Sequence, residues 1–318
     1  MDLVYTNADR VDLGVLSKYS FDLSFGATEN NYEMSIGIAA AVLDFNAFVY
    51  MEGTEYGGIV DIKKTHTNSD SITYEGRTWH GMMNSKVIEP DSGKDHLVVS
   101  GDANEILSAL VARLGLSELF VVAEELSGIN ISNYKFHRYC KGYDGIREML
   151  AANGAKLKIE WKDRAVRLSA VPVVDYTATP IDGDEAVLSV EQHKTKVNHL
   201  ICLGRGELSE REVIHLYADQ YGNIGDTKYY TGLSEVSEVY ENSNSEDLRS
   251  DGIKRFKELR DNDKAEISPP EDDEPAYDIG DIVGATDVQS GVSASAAVSQ
   301  KIIRINNGVV STEYKTGS

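Results

Sequence analysis

The residues best suited to chemistry crowd into one run, SITYEGRTWHGMMNSKVIEP at positions 71 to 90, which holds Glu75, Arg77, Trp79, His80, Met82 and Met83. Such a run is either a reaction centre or a frame that holds other things. Perturbed catalytic groups come with partners, and the sequence names none for these three polar residues. Gly76-Arg77-Thr78 follows a strand and precedes Trp79. The methionines then alternate with smaller or polar residues into a strand at NSKVI. The aromatic and thioether groups therefore read as core filling, with Glu75 and Arg77 at a rim or interface.

Other chemistries fare no better. The histidines, His66, His80, His96, His137, His193, His199 and His215, never fall at HxH, HExxH or HxxxH spacing, and they read as scattered surface and strand residues. His137 and Cys140 in HRYC come nearest to a ligand pair and lack two further ligands. Leu203-Gly204-Arg205-Gly206-Glu207 leads into another strand rather than a helix, so no helix N-terminus is offered to a phosphate. No GxSxG elbow appears. A carboxylate pair for glycoside hydrolysis is always available in a chain this acidic, which is abundance rather than a signal. Asn130-Ile131-Ser132 is a chance sequon in a chain without a secretion signal. The expectation is no catalytic, cofactor-binding or metal-binding residue, and no cofactor.

Composition narrows the partners. Over 318 residues, 31 Lys plus Arg face 52 Asp plus Glu, a formal charge of -21 that repels nucleic-acid phosphates, so specific nucleic-acid binding is not expected. The start, MDLVYTNADRVDLG, has no basic segment followed by an apolar one, and no uncharged apolar run is long enough to span a bilayer. Synthesis and folding in a cytoplasm, without stable membrane insertion, is the expectation. Cys140 and Cys202 lie far apart without a CxxC and read as buried thiols.

The elements around these residues are mostly strands. YEMSIGI at 32 to 38 alternates apolar and polar, and AFVYMEG, GGIVDIKKTH, SITYEG and NSKVIEP follow with turn residues between them, which suits a small antiparallel barrel or sandwich over 1–93. DANEILSALVARLG has an Asp102 N-cap, Glu105 three places on and Gly115 as a stop, so a helix is expected there. A second helix is expected at 142–152, then a β-hairpin around Lys162-Asp163-Arg164, completing an α+β domain at 94–175. Strands resume in EAVLSVEQ, KVNHLICLG and REVIHLYAD. A third helix spans about 245–260, and an acidic Pro-rich linker, ISPPEDDEPA, runs from 267 to 276. YDIGDIVGATD, SAAVSQKIIRIN and GVVSTEYKTG close the chain, with Asn306-Asn307-Gly308 as a hairpin turn. The segments 176–218 and 275–318 would pair as a second β domain, with 219–274 as a helix-containing insertion.

The order of these parts resembles phage tail baseplate hub proteins. The resemblance rests on GGIVDIKKT, SITYEGRTWHGMMNSKVIEP and DANEILSAL, then KVNHLICLGRGE, YADQYGNIGDTKYYTG, the helix, the acidic linker, YDIGDIVGATD and KIIRINNGVVSTEYKTG. It implies an α+β, mainly β fold: two small β-barrel domains, each with an associated smaller α-containing domain, in a ring-shaped homotrimer. Three such chains present six barrels, which lets a threefold protein meet a sixfold tail tube. The implied partners are a tail tube or distal tail protein and a spike or tail-tip protein, in a virion, prophage or phage-tail-like bacteriocin. Lytic or fibre domains carried by longer hub proteins would belong to another polypeptide here. Carboxylates lining the ring's channel would keep DNA from adhering. The alternative from another class is a cell-wall glycan hydrolase using an Asp/Glu pair.

Overall fold

Strand Tyr19–Gly26 buries Tyr19, Phe21, Leu23 and Phe25 and turns Ser20, Asp22 and Ser24 away, the period-two pattern of a half-buried strand. Around it the computed structural model describes residues 2–67, 69–182, 187–191, 196–245, 247–260, 264–268, 276–287 and 291–317. The chain divides into two units, Met1–Leu188 with Glu266–Ser318, and Ser189–Ala265. His193 and most of the 267–276 linker lie outside the described residues.

In the first unit, Tyr19–Gly26 sits in an eight-stranded sheet between Asn31–Gly37 and Val292–Asn306. Ser71–Arg77 and Ile62–Thr65 extend one side, while Ile282–Asp287 and Ile181–Asp182 extend the other. A four-stranded sheet of Asp12–Leu16, Leu3–Thr6, Phe48–Tyr50 and Gly57–Ile59 shares its core. The late hairpin is as expected: Asn306 pairs with Val309, and Asn307 and Gly308 both take positive φ, the type I′ turn whose twist matches the strands. The turn at Asp163-Arg164 repeats this between Ala155–Lys162 and Ala165–Pro172.

The late strands differ from expectation in their partner. Segment 275–318 is expected to pair with 176–218, and Ile181–Asp182 does pair with Ile282–Asp287, but Val292–Asn306 also pairs with Tyr19–Gly26, placing Ile303 opposite Leu23 and Ile305 opposite Phe21 in the N-terminal core. The strand is fifteen residues long and serves two cores, since Val298 at its other half packs with Tyr277, Val283, Ala285 and Tyr314. Residues 199–218 lie in the second unit. A strand with two apolar faces at its ends can satisfy either partner, and only the three-dimensional core chooses.

Helix α1, Trp79–Asn84, stands where a continuous run into a strand was expected. Thr78 caps it, accepting from the Gly81 N–H at 3.3 Å, and Gly81 is required because a Cβ there would stand 2.0 Å from the Asn30 carbonyl oxygen. Only Val87–Ile88 remains as a strand. Helices α2, Ala103–Arg113, and α3, Gly142–Ala151, fall where the sequence puts them, and pack with α1 into a second core around Trp79, Trp161, Phe48 and Tyr50. Trp79 and Trp161 stack at 5.0 Å between centroids.

Asp102 does more than cap α2. One carboxylate oxygen accepts from Asn104 and Ser127 N–H groups at 2.9 and 3.0 Å, and the other accepts from the Ser127 hydroxyl and the Gly128 N–H, both at 2.9 Å. Asp102→Ala is therefore expected to cost about 2 kcal/mol, the upper end for an N-cap, read as a lower urea midpoint with an unchanged slope. A loss near zero would mean that the 125–128 turn holds without its anchor.

The second unit is a four-stranded sheet, Ile224–Gly225, Val213–Ala218, His199–Leu203 and Ser237–Glu241. Helix α4, Leu248–Arg260, covers one face with Leu248 and Phe256 against Leu200, Cys202 and Leu216. Gly252 permits the approach, since a Cβ there would lie 2.5 Å from the Cys202 sulfur. Cys202 is buried as expected, whereas Cys140 is only half-buried. Among the described residues no helix is long and apolar enough to cross a membrane.

Candidate functional site

The run that opened the sequence disperses its polar groups. Glu75 pairs with Lys64 across neighbouring strands. Arg77 grips Asp61 side-on, its Nε and Nη2 donating at 2.8 and 2.7 Å. Burial works against the Asp61 charge, but the Arg77 guanidinium outweighs it and holds that carboxyl below its usual range. His80 goes elsewhere, into the interior, stacked on Phe25 at 4.5 Å and met edge-on by Tyr143.

Around His80 lies an ionic cluster, buried except for the half-exposed Asp278 side chain, assembled from four distant stretches. Lys301, on the long strand, donates to Glu55 at 2.8 Å and lies 3.5 Å from Asp278. Lys156, on Ala155–Lys162, donates to Asp278 at 2.9 Å and to Asp281 at 2.8 Å. The second Asp281 oxygen accepts from the Val174 N–H at 2.9 Å. Glu55 stands 3.7 Å from His80 Nε2, and His80 Nδ1 has no hydrogen-bond partner. A cavity of about 430 Å³ opens beside them, lined by Glu55, Tyr56, His80, Tyr143 and Asp278 among others.

The electrostatics fix the charge states. Burial disfavours the Lys301 ammonium, yet Glu55, Tyr56 and Asp278 together hold it charged well above the ordinary lysine range. Lys156 follows the same pattern, with burial overcome by Asp281 and Asp278. Asp278 is held below the usual carboxylate range, the two lysines outweighing its burial. Burial, and then the Lys301 charge, push His80 down to about 3, so its ring is neutral. Glycoside hydrolysis needs one carboxyl kept protonated and a second free to act opposite it. Here burial lifts the Glu55 carboxyl even with Lys301 beside it while Asp278 is held down, and each of Glu55, Asp278 and Asp281 faces an ammonium, an arrangement that ties segments together.

The second unit holds a smaller polar cluster on the sheet face away from α4. His199 Nδ1 donates to Glu235 at 2.7 Å, and its Nε2 lies 2.8 Å from His215 Nδ1, with Tyr217 stacked on the ring. Lys228 also pairs with Glu235, at 2.7 Å. Sequence spacing missed this pair, because strand pairing and not chain proximity joins positions 199 and 215. His137 is exposed, and its carbonyl accepts from the Cys140 N–H at 3.3 Å within one turn. Among the described residues no three His, Cys, Asp or Glu side chains are placed to hold a metal ion.

Comparison with solved structures finds this fold elsewhere. Prophage tail protein gp18 from Listeria monocytogenes EGD-e matches over 99% of this chain and 94% of its own, with a TM-score of 0.58 and 13% identity. The 43 kDa tail protein of prophage MuSo2 from Shewanella oneidensis matches over 100% and 98%, at 0.57 and 11%. A chain of the phage P2 baseplate in its activated conformation matches over 99% and 98%, at 0.50 and 10%. The fold is that of phage tail baseplate proteins. No family model matches the sequence, and no curated protein matches it. In this baseplate fold the ionic cluster ties the late strands to the N-terminal sheet, within a mainly β architecture with few helices.

Proposed function

We propose that the protein is a structural baseplate hub: a ring-shaped homotrimer that joins the tail tube to the central spike or tail tip. The end-to-end match to tail and baseplate proteins carries this reading, because nearly the whole of each chain shares the one fold. The long strand Val292–Asn306 supports it further. By serving two β cores in one unit, it suits a subunit that offers two β-barrel domains to a pseudo-sixfold ring. The role is that of an adaptor without catalysis, in the virion tail, with a tube or distal tail protein and a spike or tip protein as partners.

Light scattering on the purified protein tests the ring. The expected mass is that of three chains, or of a trimer formed when the tube or spike partner is added. A stable monomer indifferent to those partners would remove the hub reading.

A further inference from the structure

The surface of the first unit carries two patches of opposite charge at opposite ends of one β ribbon. The ribbon is Val98–Asp102 paired with Asn130–Lys135, with Val98 opposite Lys135 at one end and Asp102 opposite Asn130 at the other. Beyond the Lys135 end the chain reads KFHRYCK, with three basic residues, a histidine and no acid, in a protein of formal charge -21. Lys135, Arg138 and Lys141 are exposed, and Lys86 joins them because Lys141 pairs with Val87. Among the described residues none of the four has an ion-pair partner. Tyr139 is held at a φ of 56° with more than half its surface exposed and Arg138 over its ring at 5.3 Å. A tyrosine in left-handed backbone is strained, and strain kept at an exposed aromatic points to use.

At the Asp102 end the chemistry reverses. The turn that anchors to Asp102 through Ser127 and Gly128 is preceded by Glu124, Glu125 and Leu126, all exposed, with Leu126 at 69% and Val121 at 40% exposure nearby. Glu124 and Glu125 have no ion-pair partner among the described residues. Each patch thus combines unpaired charge with exposed apolar surface, as interface patches do, with Asp144 and Glu148 near Cys140 at the basic end and Lys158 and Arg167 lining a pocket with Glu124 and Glu125 at the acidic end.

We propose that these patches are the two halves of a head-to-tail contact between copies of this chain: the Lys135–Lys141 turn of one docks on the Glu124-Glu125-Leu126 turn of the next. The proposal rests on the ring reading and names the surfaces that build it. Two different patches at opposite ends of one element make a heterologous contact, which closes into a ring when the rotation per copy divides the circle. Between subunits that are each strongly acidic, a local basic patch also offsets the general repulsion where contact occurs. Tyr139 and Leu126 supply the apolar centre, with the charges around them.

Charge exchange tests the pairing by sedimentation velocity over a concentration series. Arg138→Glu and Glu125→Lys, each alone, are expected to weaken self-association about tenfold, and the double variant to return to within about threefold of the original. Rescue by the second reversal is an outcome that a merely structural role for either residue would not give. Raised salt should weaken the original protein in the same direction. Two weakened single variants without rescue, or two unaffected ones, overturn this contact and leave the hub reading standing on other surfaces. A protein that stays monomeric at the highest concentration also overturns the contact; if tube and spike partners then fail to assemble it, the hub reading falls with it.

Discussion

Replacing Lys301 with methionine is expected to cost about 3–5 kcal/mol of stability, the range found when one member of a buried ion pair is removed. The lysine is buried on the long strand, opposite Phe25 and Tyr314 in register, and its ammonium is what Glu55 faces at 2.8 Å. Methionine fills most of the volume but leaves Glu55 without its cation and weakens the hold on Asp278. Those carboxylates must then be protonated or drawn toward water, and either response costs free energy. Removing the charge on both sides separates this mechanism from simple repacking. Lys301→Met with Glu55→Gln should recover much of the loss, because a neutral pair needs no counter-charge. Urea unfolding gives the magnitudes, and hydrogen exchange at the amides of 300–306 shows where the loosening lies. A loss below about 1 kcal/mol for Lys301→Met would show that the lysine is a packed stem rather than a clamp.

What the sequence revealed and what it hid divide along contact range. The Asp102 cap, the Gly115 stop and the Asn307-Gly308 and Asp163-Arg164 turns are decided within a few residues, and each is where local rules place it. Helix α1 was missed although Thr78 is a fair N-cap, because six residues with a glycine inside carry no helical periodicity and the helix exists through burial of Trp79 and Met83. The pairing of Val292–Asn306 with Tyr19–Gly26 and the meeting of Lys301 with Glu55, 246 residues apart, have no local signal at all. The histidines illustrate the same limit: read as scattered, His80 and His199 are buried, and each finds its neighbours through sheet packing. The family resemblance was legible because it lies in the order of many parts, each weak alone.

Acid should destabilise the first unit, and His80 should account for much of the slope between pH 6.5 and about 4.5. In the folded protein His80 is held down to about 3, against 6.5 when free, so the folded state refuses a proton that the unfolded chain takes. The sign follows: the unfolded state binds more protons throughout that interval, so stability is full above about 6.5 and falls as the pH drops, by about 1.4 kcal/mol per unit for one such group. If the whole interval down to 3 were crossed, the contribution would be on the order of 5 kcal/mol. Asp61 and Asp278, held below the usual range, act with the same sign but only once the pH enters the carboxylate range, below about 4.5. Glu55 acts against them, because burial lifts its carboxyl despite Lys301, and the folded state then accepts that proton more readily. His80→Phe isolates the histidine, since a phenyl ring keeps the stack on Phe25 and cannot titrate. The packing difference of a phenyl ring does not depend on pH, so the variant should lose less than the original on acidification, its stability relative to the original rising by about 1.4 kcal/mol per unit below pH 6.5. Urea midpoints at half-unit steps from pH 7.5 to 4.5 make the comparison. Parallel curves for the two proteins would mean that His80 takes a proton in the folded state as readily as in the unfolded one and keeps it, paired with the Glu55 carboxylate 3.7 Å from Nε2.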